Sequence, residues 1–417
     1  GTTAKPTANA TISGKNLRLK SYAVDRLGAD FAISPQDGVR LSNLVATRGA
    51  TRVSGSAHLP WREDLFSNPA QAAGEVTLDF ANLDLGDFAP PRFVTGVIDG
   101  RLTADGNVKQ PALSLSATGR EMTTMGYRLG AVQTRASYQR GRLHVEPLIA
   151  EDRGARAEIN GDVWLLQPDH WRWLKDPRFD LKLTGRGIEL ADFWQHMAGK
   201  ATIDAEVIGP WSGLKGTGDL QATALDFGCQ RVAALTTSVR LADKNLFIEE
   251  ARATLSEQSH LTGQGWLSFD GRYEAAIDTD ALELTDIALL QDNYRIEGTV
   301  RGGLQGRGSF SAPVAAGQFD LTGMRINDLP LSATAIRLAL KEGRLELDGQ
   351  QTGLTLEGFY QLSGHDFQAA LQATQLRLTP YFTALGREKL SGAFSGTISL
   401  SGNSDALSKM RADIAVQ

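Results

Sequence analysis

The chain has 417 residues, 41% of them hydrophobic, and a formal net charge of −5 from 43 Lys and Arg against 48 Asp and Glu. That length exceeds one ordinary compact core and points to several domains or an elongated array. The charges are interspersed without a basic stripe, which argues against nucleic acid as a partner; the single Cys229 rules out an internal disulfide framework and a thiolate zinc cluster.

Residues 1–11 are polar and read as a disordered edge. No apolar run approaches the length of a membrane span, and no signal peptide is visible. The chain opens at GTTAKPTANA and stops at DIAVQ in mid-strand, so both ends read as cuts in a longer protein. From Ile12 onward the text alternates. Val76, Leu78 and Phe80 point one way while Glu75, Thr77 and Asp79 point the other. Phe179, Leu181 and Leu183 repeat the pattern, as do Ala201, Ile203, Ala205 and Val207, then Tyr273, Ala275 and Ile277, then Phe367, Ala369, Leu371 and Ala373. Such alternation marks strands with one apolar and one wet face.

The strands recur. Leu41, Leu143, Leu246 and Leu345 each open a similar pair of strands, at separations of 102, 103 and 99 residues. Leu27, Leu129, Val232 and Leu331 show the same three separations. A divergent repeat of about a hundred residues explains both series, and such repetition decides the architecture. The expected repeats are 12–96, 97–199, 200–296 and 297–390, with 391–417 starting another. In the second, strands are expected at 97–105, 112–119, 130–138, 142–150, 155–166 and 178–186, joined by turns at Asn107, Gly126, Arg140-Gly141 and Arg153-Gly154. Connections this short favour an antiparallel meander. The apolar spacing of 188–199 and its closing Gly199 predict a helix of two or three turns, with matching crossovers after Leu83, Leu282 and Leu376. Segments 60–74 and 167–178 read as inserted loops carrying Trp61, Leu65, Phe66, Trp171 and Trp173; they either pack on their own sheet or form a rim.

Motifs for chemistry are scarce. His58, His144, His170, His196, His260 and His365 form no HxxxH or HExxH pair, so no metal site is expected. The glycine-rich 302–308 lies in a strand–turn region with no following helix, a poor phosphate cradle. Asp180, Asp204 and Asp278 alternate with apolar residues and read as the solvated face. No cofactor and no catalytic residue is expected. A long apolar face remains. It can pack on a second sheet, close into a solenoid core, or curl into an open trough for apolar ligands; frequent Gly and Ala and the lack of linkers favour the trough.

The segment GRLTADGNVKQPALSLSATGREM, 100–122, resembles the AsmA-like (TamB) family of Gram-negative envelope proteins, as do GRLHVEPLIAEDRGARAEINGDVWL, 141–165, then 216–227 and 396–416. The likeness runs over nearly the whole chain from Ile12. It implies an all-β fold: an elongated, twisted, U-shaped antiparallel β-groove, or β-taco, of about four repeats with short helical crossovers. It further implies a periplasmic protein, anchored in the inner membrane outside this chain, that carries phospholipid acyl chains between inner and outer membranes and has an outer-membrane β-barrel partner. A monomer is expected. Strands about 4.8 Å apart, six per repeat, give a groove on the order of 100 Å long.

The groove lining expected from alternation is Val76, Leu78, Phe80, Leu113, Leu115, Leu143, Val145, Phe179, Leu181, Leu183, Ile203, Val207, Leu220, Ala222, Val239, Leu241, Ile277, Phe319, Leu321, Leu338, Leu340, Phe367 and Leu371. Two other readings stand beside the conduit. One is an assembly scaffold for outer-membrane proteins with a closed, dry β-core. The other is a polysaccharide-active enzyme, which calls for carboxylates and aromatics gathered on the wet face. The sequence shows no such gathering, since Trp164 and Trp266 recur at equivalent positions and read as structural.

Overall fold

The strands follow the turn chemistry. In the computed structural model, which describes residues 6–19, 22–63, 65, 67, 68, 71–87, 94–168, 170–193, 197–291, 295–326, 329–379 and 391–416, nearly every element is a strand. The chain divides into two units, one holding 1–195 and 201–216, the other 196–200 and 217–417.

The first unit contains β1 (Ala8–Leu19), β2 (Tyr22–Ser34), β3 (Gly38–Arg48), β4 (Thr51–Leu59), β5 (Gly74–Asp84), β6 (Val94–Asn107), β7 (Gln110–Thr124), β8 (Tyr127–Gln139), β9 (Arg142–Asp152), β10 (Ala155–Gln167), β11 (His170–Glu189) and most of β12 (Ala198–Pro210). From β1 to β11 each strand pairs antiparallel with the next in sequence. The hairpins turn where expected. Arg140-Gly141 and Arg153-Gly154 have positive φ at both positions, as does Met125-Gly126, the geometry whose twist matches that of the flanking strands. At the remaining turn, the Asn107 side-chain oxygen accepts from the backbone N–H of Lys109 and Gln110 at 3.0 and 2.9 Å.

The second unit contains β13 (Lys215–Asp226), β14 (Arg231–Ala242), β15 (Asn245–Thr254), β16 (His260–Ser268), β17 (Arg272–Glu283), β18 (Ile296–Ser309), β19 (Ala312–Ile326), the two-residue β20 (Leu329–Pro330), β21 (Thr334–Lys341), β22 (Arg344–Gln351), β23 (Leu354–Gln361), β24 (Asp366–Arg377), β25 (Ala393–Asn403) and β26 (Arg411–Val416). From β14 it is again a sequential antiparallel meander, with β20 and β21 both on β19. The outer edges are open: among the described pairings β1 bonds only β2, and β26 only β25.

Bulges interrupt the ladders. Asn43, Asn82 and Glu121 fall in register gaps of β3–β4, β5–β6 and β7–β8 with φ of 50, 51 and 54°. An extra residue on one strand bends it and sharpens its twist. The Asn82 bulge is pinned: its N–H donates to Asp99 at 2.8 Å, and Arg120 donates to its Oδ1 at 2.7 Å.

Two sequence expectations need correction. The helix expected over 188–199 is absent from its described residues. Strand β11 runs to Glu189, Leu190–Asp192 is a single 3-10 turn closed by the Phe193 N–H on the Leu190 carbonyl at 3.0 Å, and Gly199 lies in a strand at φ +129°. Among the described residues, the crossover after Leu83 likewise holds one 3-10 turn, Leu85–Asp87, and that after Leu282 holds Leu284–Asp286 followed by α1 (Ala288–Gln291). After Leu376 the strand ends at Arg377, and most of that crossover lies outside the described residues. The reason is burial: Leu190 and Leu284 are 9% and 4% exposed, and one turn suffices to bury that leucine. Around Leu284 it builds a small core with Val300 and Leu321.

The second correction concerns 167–178. Apart from Pro168 in a turn, and residue 169, which lies outside the described residues, these residues are strand, because β11 begins at His170 and pairs with β10 through irregular register. Pro177 sits inside the register gap, where no ladder donor is needed. Trp173 is 71% exposed, and the Trp171 side chain lies outside the described residues. The described residues of 60–73 form a loop, as expected, and Gly74 opens β5. Leu65 and Ala72 are 3% and 4% exposed and pack down, while most of the loop's other described residues are exposed; Phe66 lies outside the described residues.

Candidate functional site

Directly opposed residues of an antiparallel pair share a face, so the register decides whether the alternation adds up. In the first unit it does. Leu78 faces Leu102, which faces Leu115, then Ala136, Val145, Gly161 and Leu181. One step along, Val76, Ala104, Leu113, Tyr138, Leu143, Val163 and Phe179 form a second row. Phe80, Gly100, Ala117, Thr134, Leu148, Ile159 and Leu183 form a third. Ile203 continues this face, since a Cβ built on Gly185 would lie 3.8 Å from its Cβ. Lys182 pairs with Glu206 at 3.2 Å on the opposite side, which leaves Val207 with Ile203.

The second unit repeats the arrangement. Val239, Ile248, Gly265, Ala275, Gly306, Ala315, Leu340, Leu345, Tyr360 and Phe367 lie in one row. Ile277, Leu304, Gly317, Leu338, Leu347, Gly358, Ala369 and Leu400 form the next, and Phe319, Ile336, Gly349, Leu356, Leu371 and Ile398 a third. Leu241 faces Leu246, and Leu321 faces Val300. Ser238 donates to Asp219 at 2.6 Å on the wet side, so Leu220 and Ala222 sit on the apolar side of β13.

Within each unit, every residue expected to line the groove falls on one face. How far that face is covered matters for what it can do. Of the 23, Ala222 and Leu321 are buried at 2% and 7%, Ile277 is exposed at 44%, and the other 20 are half-buried. A face sealed in a sandwich would be buried nearly throughout. The total accessible surface is 27001 Å², where two compact units of half this mass would expose about 19,000 Å² together.

The opposite face is held by cross-strand charge pairs. Arg142 grips Asp162 with two hydrogen bonds of 2.6 Å, and His144 Nδ1 lies 2.7 Å from the same carboxylate. The Arg142 guanidinium, with a smaller part from His144, holds the Asp162 carboxyl below its ordinary range. Arg101 does the same to Asp79. Trp164 lies between Arg142 and Arg178, whose guanidinium carbons are 5.8 and 5.4 Å from its ring centre. The Trp266 Nε1–H donates to Glu274 at 3.2 Å. Both tryptophans therefore belong to the polar face. Among the described residues no group of three His, Cys, Asp or Glu side chains is arranged to hold a metal ion.

The wet face of the second unit departs from its reading as a plain solvated surface. Two cavities open on it, of about 930 Å³ and about 750 Å³, sharing Gln305 and Ala316. Asp278, Glu346, Asp348, Glu357 and the Phe359 ring line the first. Carboxylates and an aromatic do gather here, contrary to the sequence reading. Small residues at wet-face positions, Ala276, Gly303, Ala316 and Ala339, leave a hollow where long polar side chains would stand, and only the strand register brings them together.

No protein-family model matches the chain, and no curated protein matches it.

Proposed function

We propose that this chain is a bridge-like lipid conduit of the kind its sequence resembles in the AsmA-like family. It carries phospholipid acyl chains in the periplasm between inner and outer membranes, with an inner-membrane anchor and an outer-membrane barrel partner beyond these residues. The observation that carries the reading is the apolar face: registered over seven strands in the first unit and half-covered along its length. Acyl chains on such a face are removed from water at about 25 cal/mol per Å². A row of mixed aliphatics with small residues between them offers area without a shaped pocket, which suits a ligand that slides.

The repeat belongs to the same proposal. Glu121, Ala224 and Gly323 are positive-φ residues of β7, β13 and β19, spaced 103 and 99 residues apart like the sequence anchors. Four repeats of one bent groove are the simplest source of that spacing. The scaffold reading with a dry closed core is disfavoured by the 20 half-buried lining residues.

The chain purified without detergent from a Gram-negative host is expected to yield co-extracted phospholipid, at about one molecule or more per chain, by organic extraction and mass spectrometry. Protein free of lipid above the level of a control protein of equal mass would contradict the conduit.

A further inference from the structure

We infer that the wet face of the second unit carries a binding site for an uncharged oligosaccharide, in the cavity of about 930 Å³ over β17 to β24. The site is independent of the lipid reading, because it uses the opposite face of the sheet.

The cavity has a floor and a polar wall. Ala316 and Ala339 are directly opposed on β19 and β21, so their methyl groups lie side by side. The Phe359 ring lines the cavity further along, with the Arg344 guanidinium 3.8 Å from its centre. Glu346, paired with Arg344, stands in register between Ala339 and Phe359, so the two alanines alone form the apolar step that a C–H face of a pyranose can cover. Along it run Gln318, Arg337, Asp348 and Glu357, one from each of β19, β21, β22 and β23 and successively opposed in register. Among the described residues none of the four has a hydrogen-bond or ion-pair partner, while Arg240 and Glu249 on the same face are paired at 2.7 Å. Asp348 and Glu357 are moreover like charges on directly opposed positions, an arrangement that costs stability. An array that keeps donors and acceptors unspent, at a cost, is ready for a ligand that both gives and takes hydrogen bonds. Hydroxyl groups do both.

Other ligand classes fit less well. Asp278, Glu346, Asp348 and Glu357 outnumber Arg337 and Arg344, which disfavours phosphates and acidic glycans. An extended peptide binds a sheet by its edge, and here every strand flanking the cavity is paired on both sides. The volume lies in the usual range for small-ligand sites.

The test is calorimetric titration of the whole chain with cellotetraose, maltotetraose and chitotetraose, alongside a tryptic digest of casein. At least one tetrasaccharide is expected to bind with Kd on the order of 0.1 mM. Ala339→Trp, which fills the floor, and Gln318→Ala, which removes one polar contact from an exposed position, are each expected to weaken that binding tenfold or more with unchanged circular dichroism. Leu183→Asp, on the other face, is expected to leave it unchanged. No binding of any tetrasaccharide at about 5 mM, binding indifferent to both cavity variants, or binding of casein peptides alone would overturn the assignment.

Discussion

Aspartate at Leu183 or Val207 is expected to leave the chain folded and to strip its apolar face of lipid. Both positions are half-buried, and both lie in the first unit. A carboxylate there reaches water when nothing lies over it, so the strand can keep its ladder. An acyl chain passing over it forces the charge out of water, which costs several kcal/mol. At about 1.4 kcal/mol per tenfold change, bound lipid should fall by about a hundredfold or more. Circular dichroism and resistance to proteolysis should match the unsubstituted chain, while the phospholipid-to-protein ratio drops to background. A closed core gives the reverse: a permanently buried charge, an unfolded segment and aggregation.

Gly161→Ala is expected to open the middle of the first sheet. Gly161 stands in the apolar row between Val145 and Leu181, at φ +125°, beside a register shift of β9–β10. A Cβ there would lie 2.1 Å from the Asp180 carbonyl oxygen and 3.1 Å from the Leu181 Cα, both backbone atoms of the neighbouring strand. Neither can swing away without breaking the ladder. The conformational strain alone is about 1–3 kcal/mol, and the clash adds to it. Gly154→Ala is the matched comparison. It has φ +90° but nothing within 4 Å of the added atom, so only the conformational part applies. Hydrogen exchange should show strands β9 to β11 opening more readily in the first variant by about 2 kcal/mol or more, and in the second by less. Equal protection in the two would mean that the close approach at Gly161 carries no energy.

Much of this fold can be read from side-chain alternation and turn residues. The strand expected at 142–150 is β9, 142–152, and the turns at Gly126, Arg140-Gly141 and Arg153-Gly154 fall where expected, because positive-φ turns demand glycine or a tolerant neighbour. Alternation also assigns faces, and the register keeps Leu78, Leu115, Val145 and Leu181 together. Three features were not legible. The spacing of Ile188, Leu190 and Phe193 suits a helix, yet one 3-10 turn buries Leu190 and the next strand starts within a few residues. Segment 167–178 reads as an inserted loop carrying Trp171 and Trp173. The strand persists because its bulge absorbs Pro177, while Asp176 accepts from the Ser212 N–H and hydroxyl at 2.9 and 2.6 Å, tying its carboxylate to a neighbouring turn. The wet-face cavity depends on which strands lie side by side: Ala316 and Ala339 are unremarkable in sequence and form a floor only once opposed.

Photocrosslinking tests the central claim most directly. A benzoylphenylalanine placed singly at Leu183 or Ile203 faces the apolar side, and one at Asp180 or Asp204 faces the wet side, on the same two strands. Irradiation in cells followed by lipid mass spectrometry should attach phospholipid to the chain at Leu183 and Ile203 and not at the two aspartate positions. Equal capture on both faces, or capture at Asp180 and Asp204 alone, would contradict a lipid path along the apolar face.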